Sequence, residues 1–276
     1  MQHPNISISQ PIVELLNLME RLRDPDQGCT WDKKQTWQTI LPHTIEEVYE
    51  VADAVDRHDA SALRDELGDL LFQIVFMAHI AKEQNLFDFN DVVQSVTQKM
   101  IRRHPHVFGD VTYQNEREQK QAWESIKHAE RTEETTTPAS SFFTGIPQAL
   151  PALRRSQKLQ QRAARVGFDW DNWQQVIPKV HEELDEIQEA VLQGESPQRI
   201  EEEVGDVIMA TTNLARMLGV NAENALRVAN NKFERRFLRV ESLLQTQGIT
   251  LEQASLEHME NAWIIAKQEE KQTNGS

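Results

Sequence analysis

The sequence predicts an all-α protein made of two tandem copies of one helical domain. Three observations predict it. Only 10 Gly and 10 Pro occur among 276 residues rich in Glu, Gln, Leu and Ala, a composition that favours helix. No stretch alternates apolar and polar residues as a half-buried strand does. The second half also repeats the motifs of the first in order. Gly28-x-x-Trp31-Asp32 returns as Gly167-x-x-Trp170-Asp171, and Trp37 and Pro42 return as Trp173 and Pro178. Lys99-x-x-Arg102-Arg103 returns as Lys232-x-x-Arg235-Arg236, and Trp123-x-x-x-Lys127 as Trp263-x-x-x-Lys267. Two long copies make a domain duplication rather than a solenoid.

Local signals place the elements. In the first half, helices are expected from about Pro42 to His58, Ala60 to Asn85, Asn90 to His104 and Asn115 to Arg131. In the second, Pro178 suits a first helical turn and Gly194 a stop. Ser196-Pro197 is an N-cap followed by Pro, opening a helix that stops near Gly219. Asn221 caps a third helix ending near Gly248. Thr250 with Gln253 reads as a capping box for a last helix carrying Trp263. Residues 132–141, TEETTTPASS, have no apolar period and read as a linker. Residues 142–153, with Ile146-Pro147 and Leu150-Pro151, read as an extended arm packed on one domain. The expected organisation is a domain at 1–131, linker and arm at 132–153, and a second domain at 154–276.

Charge and composition exclude several classes. A formal net charge of −15 argues against broad nucleic-acid binding, which needs a basic footprint. It leaves a small anionic ligand open, because such a ligand answers to the local field. The single cysteine, Cys29, excludes an internal disulfide framework. Met1 to Gln10 is polar and lacks the apolar core of a signal peptide. The most apolar run, Leu70 to Ala81, is too short to span a bilayer. The expectation is a soluble cytoplasmic protein with no membrane partner.

The carboxylates carry the chemistry. Glu47, Glu50, Glu66 and Asp69 form two i, i+3 pairs, and Glu183, Glu186, Glu203 and Asp206 repeat them. Residues at that spacing share a helix face. A lone Glu-x-x-Glu is ordinarily a solvated face. Here the second pair of each copy runs directly into an apolar helix, so some of these acids must face partly buried space. Four such charges in one pocket repel each other, and a divalent cation relieves the repulsion. An all-oxygen ligand set suits Mg²⁺, or Mn²⁺ as a substitute, rather than zinc.

Cations come next. Lys232, Arg235 and Arg236 share one helix face, as do Lys99, Arg102 and Arg103. Alone each triplet reads as a helix-end cluster. Beside a metal site it reads as a polyphosphate clamp. Trp123 and Trp263 are either core or a stacking wall for a base. A single Trp wall would tolerate several bases.

These residues resemble the MazG family of nucleoside triphosphate pyrophosphohydrolases over nearly the whole chain. The match rests on the double Glu-Glu-x-x-Glu … Glu-x-x-Asp pattern and the Lys-x-x-Arg-Arg triplets. It extends to Arg21-Leu-Arg-Asp-Pro, Gly28-Cys-Thr-Trp-Asp, Arg102-Arg-His-Pro-His-Val-Phe and Val166-Gly-Phe-Asp-Trp. The resemblance implies an all-α fold whose domains form helical bundles on homodimerisation. It implies Mg²⁺-dependent hydrolysis of NTPs or dNTPs to monophosphate and pyrophosphate, in house-cleaning or the starvation response. It implies Mg²⁺ on Glu183, Glu186, Glu203 and Asp206. The nucleotide site would comprise Lys179, Val180, His181, Glu182, Glu183, Glu203, Asp206, Lys232, Phe233, Glu234, Arg235, Arg236 and Trp263. Glu182 is a candidate base beside the quartet. The family's two-domain members imply that the second copy is the catalytic one, and this sequence agrees in that Lys179 aligns with His43, so the first copy lacks that cation. Two other readings stay open: hydrolysis of a special nucleotide such as guanosine tetraphosphate, and a helical regulator that only senses nucleotide.

Overall fold

The computed structural model describes residues 9–134 and 142–273, which divide after Glu134 into two compact units. Among the described residues every regular element is helical. The first unit holds α1 (Ser9–Leu22), α2 (Trp37–Asp56), α3 (Ala60–Glu83), α4 (Phe89–Arg103), α5 (Pro105–Phe108) and α6 (Glu116–Glu134). Helices α2 and α3 pair as a hairpin, α1 and α4 lie on α3, and α6 lies on α4. Met19, Ile40, Val75, Phe76 and Ile80 form the core between them. The Trp37 indole N–H donates to the Met77 carbonyl at 3.0 Å, tying the start of α2 to α3.

The second unit holds α7 (Ala152–Ala164), α8 (Val176–Gln193), α9 (Pro197–Met217), α10 (Ala222–Thr246) and α11 (Leu256–Thr273). Helices α8 and α9 form the matching hairpin, α7 lies on α9, and α10 pairs with α11. Val240, Leu244 and Ala262 centre a second core. Gln157 joins α7 to the α9–α10 turn. Its amide N–H donates to the Val220 carbonyl at 2.7 Å, and its oxygen accepts from the Ala222 N–H.

Helix ends follow the turn chemistry in the sequence. Gly194, Gly219 and Gly248 follow α8, α9 and α10 with φ of 70°, 74° and 73°, a region that glycine enters without steric cost. Ser196 caps α9 through the Arg199 N–H, and Asn221 caps α10 through the Asn224 N–H. Four expectations need correction. Helix α2 starts at Trp37, because Thr36 and Thr39 form a reciprocal cap, so Pro42 lies inside it. In the second copy Asn172 instead caps a 3-10 turn at Trp173–Gln175, and Pro178 falls in the first turn of α8. The last helix starts at Leu256, where the Ser255 hydroxyl accepts from the His258 N–H; Thr250 and Gln253 close only a turn. The arm at 142–151 is a series of turns rather than extended. The Phe142 and Thr144 carbonyls accept from the Arg162 guanidinium of α7. Of the expected linker, residues 132–134 complete α6 and 135–141 lie outside the described residues. Helices α1, α5 and α7 carry no caps that the sequence reading singled out.

Candidate metal centre

Each hairpin carries one acid cluster. In the second unit, carboxylate oxygens of Glu183 on α8 and of Glu203 and Asp206 on α9 lie within 4.8 Å of one another. Glu183 and Glu203 are buried and Asp206 is half-buried. Glu186 stands one turn beyond Glu183 on α8. Burial raises its carboxyl pKa, and the charges of Glu183 and Glu203 add to the rise. In the first unit Glu47, Glu66 and Asp69 converge in the same way, with Glu50 beside them. Burial and the neighbouring acids raise Glu47 and Glu66.

Resident cations distinguish the copies. Lys179 reaches Glu182 and Glu183, each at 2.8 Å, and these carboxylates push its ammonium pKa up. Arg199, one turn before Glu203 on α9, pairs with Glu203 and with Glu202. Sequence reasoning passed over Arg199. Its only signal is a lone arginine at i−4 from an acid of the quartet. In the first copy His43 stands at the position of Lys179 and Ala62 at that of Arg199.

Glu203 shows what the arrangement can hold. It is 1% exposed, and neither carboxylate oxygen has a hydrogen-bond partner, although the Arg199 guanidinium stands close to one of them. A buried carboxylate without hydrogen bonds is costly. Lone pairs left open beside two other oxygens fit a hard cation. The donor set passes that test.

The remaining expected residues lie elsewhere in the second unit. Val180 is half-buried, His181 is exposed, and Glu182 is exposed on its Lys179 pair. Arg235 and Arg236 of α10 both pair with Glu270 of α11, while Lys232 and Glu234 are exposed. The Trp263 ring lies 5.4 Å from Phe233, with the Arg236 guanidinium 5.8 Å from its centre. The same device recurs in the first unit, where Arg102 and Arg103 pair with Glu130 and Arg103 lies over Trp123. Among the described residues, no hydrogen bond or ion pair joins the α10–α11 group to the acids.

Comparison with known proteins gives one answer. The model of the MazG nucleotide pyrophosphohydrolase domain matches twice, at residues 35–108 and 172–240. The chain is 49% identical over 260 residues to a nucleoside triphosphate pyrophosphohydrolase of Escherichia coli K12, covering 94% of this chain and 98% of that one. It is 41% identical to the nucleoside triphosphate pyrophosphohydrolase/pyrophosphatase MazG of Thermotoga maritima, covering 92% and 94%. A crystal structure of a mazG-related protein from Thermotoga maritima aligns with 42% of this chain and 98% of its own, at 28% identity and a TM-score of 0.37. Each matched segment contains one acid hairpin and one basic triplet. With the domain present twice and relatives matched along nearly their whole length, the chain belongs to the MazG nucleotide pyrophosphohydrolase family.

Proposed function

We propose that the protein hydrolyses nucleoside triphosphates to monophosphate and pyrophosphate at the acid hairpin of its second unit, with Mg²⁺ as cofactor. The supporting observation is Glu203, buried in an all-oxygen cluster with neither oxygen hydrogen-bonded and one of them facing the Arg199 guanidinium. Glu183, Glu186, Glu203 and Asp206 would hold the cation. When bound, it would supply Lewis acidity and neutralise phosphate charge. Lys179 and Arg199 hold the acids in its place and would turn to phosphate oxygens when the acids are otherwise engaged. Water then attacks the α-phosphorus, the bond to the bridging oxygen of the β-phosphate breaks, and pyrophosphate leaves. Glu182 would accept the proton of the attacking water. Lys232 would take the leaving charge together with Arg235 and Arg236, once these two are freed from Glu270.

A homodimer completes the reading. Helices α8 and α9 leave Leu184, Val191, Leu192, Val204, Ile208 and Met209 exposed. Apolar residues of that number on a helix pair call for a covering surface, and a second copy would bring another α10–α11 group to the acids.

Pyrophosphate release from a panel of NTPs and dNTPs with Mg²⁺ tests the proposal, comparing wild type, Glu50→Ala and Glu186→Ala. Loss in Glu186→Ala alone is expected. Loss in both would mean two working or coupled sites. Release from no nucleotide would end the hydrolytic reading and leave nucleotide sensing.

A further inference from the structure

The α8–α9 hairpin that carries the acids has a closed end and an open end. The Gly194–Ser196 turn joins the helices at the closed end. At the open end α8 begins and α9 finishes. Asp206 stands halfway between Ser196 and Arg216 along α9, so a splay of the open end reaches the acids at about half its size.

An ion pair closes that open end. Asp169, in the loop before α8, pairs with Arg216 in the last turn of α9. Their side chains are 26% and 16% exposed, so salt screens the pair less than a surface one. Both partners are fixed from behind. The Arg216 Nε donates to the Asn213 Oδ1 at 2.8 Å, and the Trp170 N–H donates to the Asp169 Oδ1 at 2.9 Å. A short run of bonds then leads into α8. The Asp171 N–H donates to the Gln175 Oε1 at 3.1 Å, and Asn172 caps the turn at Trp173–Gln175. Val176, the first residue of α8, is 1% exposed. Side-chain packing adds little to the hold on the loop. A cavity of about 400 Å³ lies against it, and Phe168 and Trp170 are exposed.

The first copy closes the same end of its hairpin with the opposite polarity. Arg23 reaches Glu83, the last residue of α3, at 2.8 and 2.6 Å. It also donates to the carbonyls of Asp32 and Gln35, in the turn before α2. There the leading segment supplies the cation and the second helix the acid; in the second copy the roles are reversed. Two different residue pairs at one place mark closure as something the acid hairpin requires.

Metal geometry makes the spacing matter. Mg²⁺ demands near-octahedral oxygens at about 2.0–2.1 Å, and Glu183 of α8 meets Glu203 and Asp206 of α9 only across the hairpin. We infer that Asp169 and Arg216 are positioning residues for the metal centre. By clasping the open end they set the spacing of the α8 acids against the α9 acids. The inference rests on the proposed Mg²⁺ site, and its test separates the two.

The test is calorimetric titration of the full-length protein with Mg²⁺ alone. Glu66→Gln serves as background, so that the first copy's acids do not dominate the signal. Asp169→Asn keeps the shape and removes the charge. It should raise the Mg²⁺ dissociation constant at least tenfold, at unchanged helix content in EDTA by circular dichroism. Arg216→Gln should do the same, and the double variant should lose no more than either single one. Pyrophosphate release by Asp169→Asn should fall at low Mg²⁺ and regain the parent kcat, at unchanged nucleotide KM, when Mg²⁺ saturates. Arg239→Gln, which breaks the ion pair with Glu269 in the same unit, should leave Mg²⁺ affinity as it was. If Asp169→Asn loses helix, Arg216→Lys decides, since it keeps the charge and gives up the bond to Asn213; its dissociation constant should rise at least threefold. An unchanged dissociation constant in the folded variants would overturn the inference and leave the metal site standing. So would an equal loss in Arg239→Gln, or turnover that saturating Mg²⁺ does not restore, because either marks general destabilisation. A parent protein that binds no Mg²⁺ would remove the metal site and the positioning role together.

Discussion

Replacing Glu203 by Gln should stabilise the metal-free protein and remove its response to metal. The carboxylate is 1% exposed, and its oxygens lie within 4.8 Å of those of Glu183 and Asp206. At an effective dielectric of about 20, each such repulsion is about 3 kcal/mol. Unmet hydrogen bonding adds about 1–3 kcal/mol. Attraction from Arg199 and Lys179 offsets most of this sum, because both cations sit on the same cluster. A net gain of about 2 kcal/mol for Gln remains, roughly 4–8 °C in melting temperature for a unit of this size. On the proposed Mg²⁺ site, wild type should gain about 2.7 kcal/mol at about 100 times the dissociation constant, and the variant should gain almost none. Scanning calorimetry in EDTA and in excess Mg²⁺ should therefore show the two proteins exchanging rank. A variant that melts below wild type in EDTA would make Glu203 a structural ion-pair partner. An equal Mg²⁺ increment in both would remove it from the metal site.

Stability of the metal-free chain should rise as pH falls from neutral. Glu47, Glu66 and Glu186 are held above the ordinary value of 4.5 by burial and by neighbouring acids. Their ionisation opposes folding at neutral pH, and protonation through the raised values removes that opposition. Below 4.5 the trend reverses, since Glu83, Glu130 and Glu270 are held low by arginines and lose those pairs on protonation. Urea midpoints across pH should show this maximum, and saturating Mg²⁺ should flatten its neutral side. Gly28→Ala should cost about 1–3 kcal/mol in chemical denaturation, because the new Cβ would sit 2.5 Å from the Asp24 and Leu22 carbonyl oxygens. Ile208→Asp, on the exposed apolar face of α9, should shift the protein toward monomer in sedimentation at unchanged helix content by circular dichroism.

The acid hairpins were legible because their code is local. An i, i+3 pair fixes a shared face whatever packs on it, and Gly194, Gly219 and Gly248 mark helix ends through backbone chemistry alone. The start of α7 was not legible. Its N-cap is Pro151, which has no side-chain acceptor, so no cap competes with the reading of the preceding turns as an arm. The start of α2 was misjudged because Pro42 looks like a first-turn residue, and in the second copy its counterpart is one. Arg199 escaped for a different reason. Its meaning depends on which partner its guanidinium finds, and that partner is Glu203. Periodicity carries no information about that.

The two copies keep the same acids and the same basic triplet but differ in the cations beside the acids. In the second, Lys179 and Arg199 pair with two of the acids, Glu183 and Glu203. In the first, His43 and Ala62 stand in place of those cations. Burial first and neighbouring acids second raise the carboxyls of Glu47 and Glu66, and the two cations of the second copy are absent beside them. Supplying them with His43→Lys and Ala62→Arg should lower both carboxyl pKa values in an NMR titration. In the Glu186→Ala background, with the acids and the basic triplet of the first copy already in place, the same pair should restore measurable pyrophosphate release. Turnover restored by the two cations would show that charge was the whole difference between the copies. Release that stays at the level of Glu186→Ala would show that the copies differ in more than charge.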